Sequence, residues 1–150
     1  MNNHFGGDGL ALARNYFALL RDYVLQDQPD IIGHFDLIRI NNARLHLYDE
    51  ESKVYRSMAL DALKPMAETN SLLELNTRGV VRGYLKTFYP DEFLLKEWKA
   101  WGGEVIINSD CHDACQLDAY FDEAEEMLRS LGYDYAVRLG RKDKWERYSL

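Results

Sequence analysis

Between Gly9 and Gln26 the apolar residues Leu10, Ala13, Phe17, Leu20 and Val24 recur at intervals of three and four. That spacing gathers side chains on one face of a helix, so a helix with a core side is expected there. After Pro29 the pattern changes. Ile31 and Ile32 make a short apolar run closed by Gly33, and residues 30–36 read as a strand with both isoleucines buried. Residues 41–53 are polar and aperiodic and predict a loop, followed by a helix over about residues 54–68 whose last turns Pro65 should kink.

The run Ser71-Leu72-Leu73-Glu74-Leu75-Asn76-Thr77 places its apolar members almost consecutively, as a parallel strand covered on both faces does. Residues 78–90 carry Gly79 and Gly83 and predict a long loop. Pro90, Asp91 and Glu92 then open a helix, with proline at its first position and acids at the positive end of its dipole. Leu94, Leu95, Trp98 and Trp101 should face inward before Gly102 and Gly103 stop it. Residues 104–108 are the clearest strand. The helix after it shows Phe121, Ala124, Leu128 and Leu131 on one face, with Gly132 just past its end. A short strand through Ala136, Val137 and Leu139 should close the series, leaving residues 141–147 solvated.

Strands near positions 30, 71, 104 and 135, each separated from the next by helix, predict a single α/β domain over residues 1–150 with about four parallel strands. Composition narrows the function classes. The 150 residues hold 18 Lys plus Arg against 25 Asp plus Glu, a net charge of −7, which argues against a protein held by nucleic-acid phosphates or anionic lipid. Apolar residues at 47% with 3 prolines describe a packed chain rather than a disordered one. No apolar run approaches the roughly 20 residues of a membrane span, and the first residues lack a leader's pattern, so a soluble cytoplasmic protein is expected. Cys111 and Cys115 cannot make a disulfide framework and lack the companion pair of a zinc site. His4 and His46 have no partners at metal spacing and are expected to be exposed.

In α/β folds chemistry gathers at the carboxyl ends of parallel strands, where loops converge. Three strands here end in polar pairs: His34 with Asp36, Glu74 with Asn76, and Asp110 with His112. In extended chain the period of two sets Asp110 and His112 on one side and Cys111 on the other. A carboxylate and an imidazole so placed suit Zn, Mn or Fe, and His34 from a neighbouring strand end completes a candidate ligand set. The plainer alternatives are a capping aspartate beside a surface histidine and a core histidine with a satisfied nitrogen. Glu74 and Asn76 share a side and could orient such ligands, a supporting role also assigned to Asp36, or they could simply bond the next loop. Arg78 and Arg82 lie in the glycine-containing segment after the second strand, where a guanidinium grips phosphate in two-pronged fashion, unless it is merely solvated.

Four ordered stretches carry a resemblance: Gly33-His34-Phe35-Asp36-Leu37-Ile38, Glu74-Leu75-Asn76-Thr77, Arg82-Gly83-Tyr84 followed by Tyr89-Pro90, and Asn108-Ser109-Asp110-Cys111-His112-Asp113. Together they resemble the histidinol-phosphatase branch of the polymerase-and-histidinol-phosphatase (PHP) superfamily, in order from about Phe5 to Leu139. The resemblance implies a distorted seven-stranded (β/α) barrel related to the TIM barrel, a cluster of up to three divalent ions, and hydrolysis of L-histidinol phosphate in histidine biosynthesis. It matches His34, Asp110 and His112 to metal ligands. It sets Arg82 in the loop that reaches the substrate phosphate. A metal mechanism built on that match gives Asp110, His112 and Arg82 the catalytic roles, and Arg78, by its place in the same loop, is a second candidate for the phosphate.

The family's opening His-x-His pair has no counterpart, for the chain contains no such motif. The match is to the C-terminal half of the barrel. Four strands cannot close seven, so open sheet edges and an apolar inner face are expected, covered most simply in a homodimer. Little or no turnover is expected from this chain by itself. The competing readings are a non-catalytic half-barrel that binds or assembles, and a PHP-type enzyme acting on another phosphoester.

Overall fold

A computed structural model describes residues 5–150, so the expectation for His4 lies outside the described residues. The chain folds as an α/β unit around a five-stranded sheet of order β1-β2-β3-β4-β5, with β1 at Ile31–Ile32, β2 at Leu72–Asn76, β3 at Val105–Asn108, β4 at Tyr135–Leu139 and β5 at Trp145–Ser149. The first four strands pair in parallel, and β5 runs antiparallel to β4. Six helices are present among the described residues: α1 Gly9–Asp27, α2 Ile38–Leu45, α3 Lys53–Met66, α4 Arg78–Val81, α5 Glu92–Ala100 and α6 Phe121–Ser130. None of them is long and apolar enough to cross a membrane.

The sheet has one covered face. Leu73, Leu75, Val105, Ile107 and Ala136 pack in a single core with Ala13, Phe17, Leu63, Leu94, Trp98 and Leu128 of the helices. Strand alternation sends Ile31, Leu72, Ile106 and Val137 to the opposite face, where they cluster with Tyr135 and Trp145, all strand residues. Glu74 and Asn76 continue that second face at the carboxyl end of β2, because each is two residues beyond Leu72 or Glu74 in the strand.

Several boundaries differ from the sequence expectation. The strand expected over residues 30–36 is two residues long, because His34 adopts φ 45° and turns the chain out of extended conformation. Part of the expected loop over residues 41–53 belongs to α2, whose buried residues are Ile38, Arg39 and Asn42. Two of those three are polar, so the helical period is invisible to hydrophobicity. The expected loop after β2 begins with the short helix α4. Pro90 stands before the cap rather than at the first helical position, since Asp91 itself caps α5 by accepting from the Phe93 N–H at 3.3 Å. Residues 145–147, expected to be solvated, lie in β5. Its edge position leaves charged side chains in water while Tyr148 packs on the core. Trp98 is buried as expected, whereas Trp101 and Phe121 pack at the core's margin. Gly132 follows α6 with φ 82°, the left-handed geometry expected of it.

A candidate metal and phosphate site at three strand ends

The segments leaving β1, β2 and β3 meet. Glu74, 5% exposed on β2, takes the backbone N–H of His34 on Oε2 at 2.9 Å and the Asn108 amide on Oε1 at 2.9 Å. The same Oε2 lies 3.7 Å from His34 Nδ1, and His34 Nε2 lies 3.4 Å from Asp110 Oδ2. His112 Nε2 approaches the other oxygen of Asp110 at 3.6 Å. His34 and Asp110 both sit in left-handed backbone conformation, φ 45° and 44°. A residue other than glycine held there stores on the order of 1–3 kcal/mol, a kind of strain that concentrates at binding and catalytic sites. Tyr16, from α1, donates its hydroxyl to the Phe35 carbonyl at 3.0 Å and pins the segment that carries His34.

Arg78, the first residue of α4, is clamped to the same loop. Its backbone N–H donates to Asn76 Oδ1 at 2.9 Å, its Nη1 donates to the Asp110 carbonyl, and its Nε lies 3.6 Å from Asp110 Oδ2. Nη2 comes 3.4 Å from His112 Nδ1. Arg82, just past α4, is exposed, with its guanidinium 6.0 Å from the centre of the Tyr84 ring. Arg78, Arg82, Ser109, His112 and the Asp113 carboxylate are among the side chains lining a pocket of about 170 Å³. That is below the range of about 300–1,000 Å³ of whole-ligand sites and suits a small anionic group. A larger cleft, about 1090 Å³, opens on the sheet face without helices by Leu72, Val137, Leu139 and Trp145 and shares no residue with this cluster.

Asp36 makes its contacts elsewhere. Fully buried, it accepts from the Asp91 N–H at 2.8 Å and faces Arg39 Nη1 at 3.4 Å. Burial pushes its carboxyl up to about 6, with Arg39 opposing the shift. Its part in the site is to fix the chain leaving β1, not to touch the imidazoles. Sequence reasoning passed over Tyr16, Asn108 and Tyr89. Asn108 alternates with Ile107 and so falls on Glu74's side of the sheet, a signal that was legible; Tyr16, on a helix face, offered none. The Tyr89 ring lies 5.8 Å from that of His34 and is 0% exposed. His46 is exposed, and both cysteines are free.

Imidazole nitrogens and carboxylate oxygens are the donors a divalent ion of borderline hardness takes. The 3.4 Å between His34 Nε2 and Asp110 Oδ2 is about the separation of two ligand atoms bound at 2.0–2.2 Å to one tetrahedral ion. Among the described residues no group of three or more His, Cys, Asp or Glu side chains is arranged to hold a metal ion. His112, with a side chain 72% exposed, approaches only the other oxygen of Asp110. No protein-family model matches the chain, and no curated protein matches it.

Proposed function

We propose that the chain is half of a PHP-type barrel carrying a metal-dependent phosphoester hydrolase site, with L-histidinol phosphate as the substrate suggested by the resemblance. The observation that carries this reading is the approach of His34, from the end of β1, and His112, from the end of β3, to Asp110, with the Arg78 guanidinium beside Asp110 and His112. The sequential parallel order of β1 to β4, with the helical core on one face, supports the half-barrel.

His34, Asp110 and His112 would hold a divalent ion such as Zn, Mn or Fe. The ion supplies Lewis acidity, which acidifies water and neutralises phosphoryl charge. Glu74 fixes His34 by accepting its backbone N–H and facing Nδ1, which leaves Nε2 for the ligand side. Arg78 holds the Asp110–His112 loop, and Arg82 approaches the phosphoryl oxygens from the open side of the small pocket. In this reading Asp110 would take the proton released by the attacking water and hand it to the leaving alkoxide, so that the phosphorus–oxygen bond to L-histidinol breaks as the bond to water's oxygen forms, and L-histidinol and phosphate leave.

Arg78 lying between Asp110 and His112 favours a second reading, a half-barrel that binds anions without turning them over. Phosphate release from L-histidinol phosphate with Mn²⁺ or Zn²⁺ separates the two. Because the chain holds no His-x-His pair, metal-dependent release is expected well below the roughly 10 per second of an ordinary enzyme, and lost in His112→Ala. Release that ignores metal, or that survives His112→Ala unchanged, overturns the hydrolase reading. Phosphate binding with no release supports the second.

A further inference from the structure

Tyr89 is fully buried, yet its hydroxyl finds no hydrogen-bond partner among the described residues. A phenol kept in such a place without an acceptor costs on the order of 1–3 kcal/mol relative to one that is paired, and phenylalanine would pack equally well. The backbone pairing sets which face of the sheet the side chain occupies. Tyr89 pairs backbone to backbone with Asn76 in an antiparallel bridge, so the two side chains share a face, the one that also carries Glu74. The ring lies beside His34, and after burial the largest influence on its phenol, pushed up to about 12, is the charge of Asp110. Asn76, with Oδ1 taken by the Arg78 N–H, leaves its own buried Nδ2 without an acceptor on the same face. Gly79 keeps the seat open, for a Cβ there would come 2.6 Å from Tyr89 Cε1.

We propose that Tyr89 Oη is a hydrogen-bond donor to an oxyanion bound at the His34–Asp110–Arg78 cluster, the phosphoryl group in the first instance. The assignment rests on the phosphoester reading of that site. It makes Tyr89 a substrate-binding residue, with Asn76 Nδ2 a second buried, unpaired donor on the same sheet face and Arg78 on the loop side.

Calorimetric titration of the wild-type chain and Tyr89→Phe with inorganic phosphate, in the presence of Mn²⁺, tests this. Phosphate is expected to bind about ten- to a hundredfold more weakly to the variant, the loss of one hydrogen bond to a charged group. The affinity for Mn²⁺ alone should be the same in both proteins, and the melting temperature of the variant equal or higher. Equal phosphate affinity in the two proteins, or a wild-type chain that takes Mn²⁺ and no phosphate, overturns the assignment and leaves the metal site standing. A wild-type chain that binds neither overturns both. Should Tyr89→Phe fail to fold, 3-fluorotyrosine placed at position 89 gives a second readout: its fluorine resonance must move on addition of phosphate, and a resonance that stays overturns the donor role.

Discussion

Arg39 is 5% exposed and faces three carboxylates: Asp36 at 3.4 Å, Glu50 at 2.9 Å and Asp91 at 3.0 Å. It also donates to the Phe88 carbonyl at 3.0 Å and Thr87 Oγ1 at 2.9 Å. One guanidinium therefore ties α2 to the chain that enters α5. Its planar fork is what lets it serve so many acceptors at once. Arg39→Ala leaves the buried Asp36 facing half-buried Glu50 and Asp91 and is expected to cost about 3–5 kcal/mol, read as a lower urea midpoint, with Arg39→Lys falling between the two. A loss under about 1 kcal/mol in the alanine variant would show that water reaches those carboxylates. The site's charges behave differently. Asp110 and His112 have side chains 38% and 72% exposed, so their ion pair adds little to stability and stays available to a ligand.

Among the elements, α4 shows how closely local geometry and site are joined. This short helix carries Arg78 at its start and Gly79 against the Tyr89 ring. Gly79→Ala is expected to lower stability by about 1–3 kcal/mol through overpacking, and to loosen phosphate binding by moving both Tyr89 and Arg78. An unchanged melting temperature would mean that the ring yields freely. The same neighbourhood marks the limits of the sequence. The periodic helix α1 and the apolar strands β2 and β3 were legible because hydrophobicity alone positions them. Helix α2 was not, because Arg39 and Asn42 take core positions with their polar groups paired inside. Strand β5 was not, because Glu146 and Arg147 look solvated until Glu146 pairs with Arg138 at 3.2 Å and Arg147 with Glu104 at 2.7 Å. Within the site, period-two alternation put Glu74 and Asn76 on one side. The supporting role expected of Asp36 beside His34 gave way to another: the chain turns at His34, and Asp36 joins the Arg39 network instead.

At the scale of the whole molecule the two sheet faces are unequal. Helices cover one. The other gathers Leu72, Ile106 and Val137, themselves buried, with half-buried Ile31, Tyr135 and Trp145, beside a Leu139 that is 72% exposed. Such a face, bordered by the edge strand β5, is expected to bring two copies together about a two-fold axis, since closed pairing hides both edge and patch. Light scattering at high concentration should report a dimer, and Leu139→Lys with Trp145→Glu should return it to monomer; a wild-type monomer would contradict this.

The most direct test of the central claim, a divalent-ion site built from His34 after β1 and Asp110 and His112 after β3, is calorimetric titration of Mn²⁺ or Zn²⁺ into the wild-type chain and into Asp110→Ala. Asp110 is the hub, facing His34 on one oxygen and His112 on the other. The account predicts saturable binding, weaker than at a four-ligand site, that disappears in the variant. No binding by the wild-type chain, or equal binding by Asp110→Ala, would contradict it.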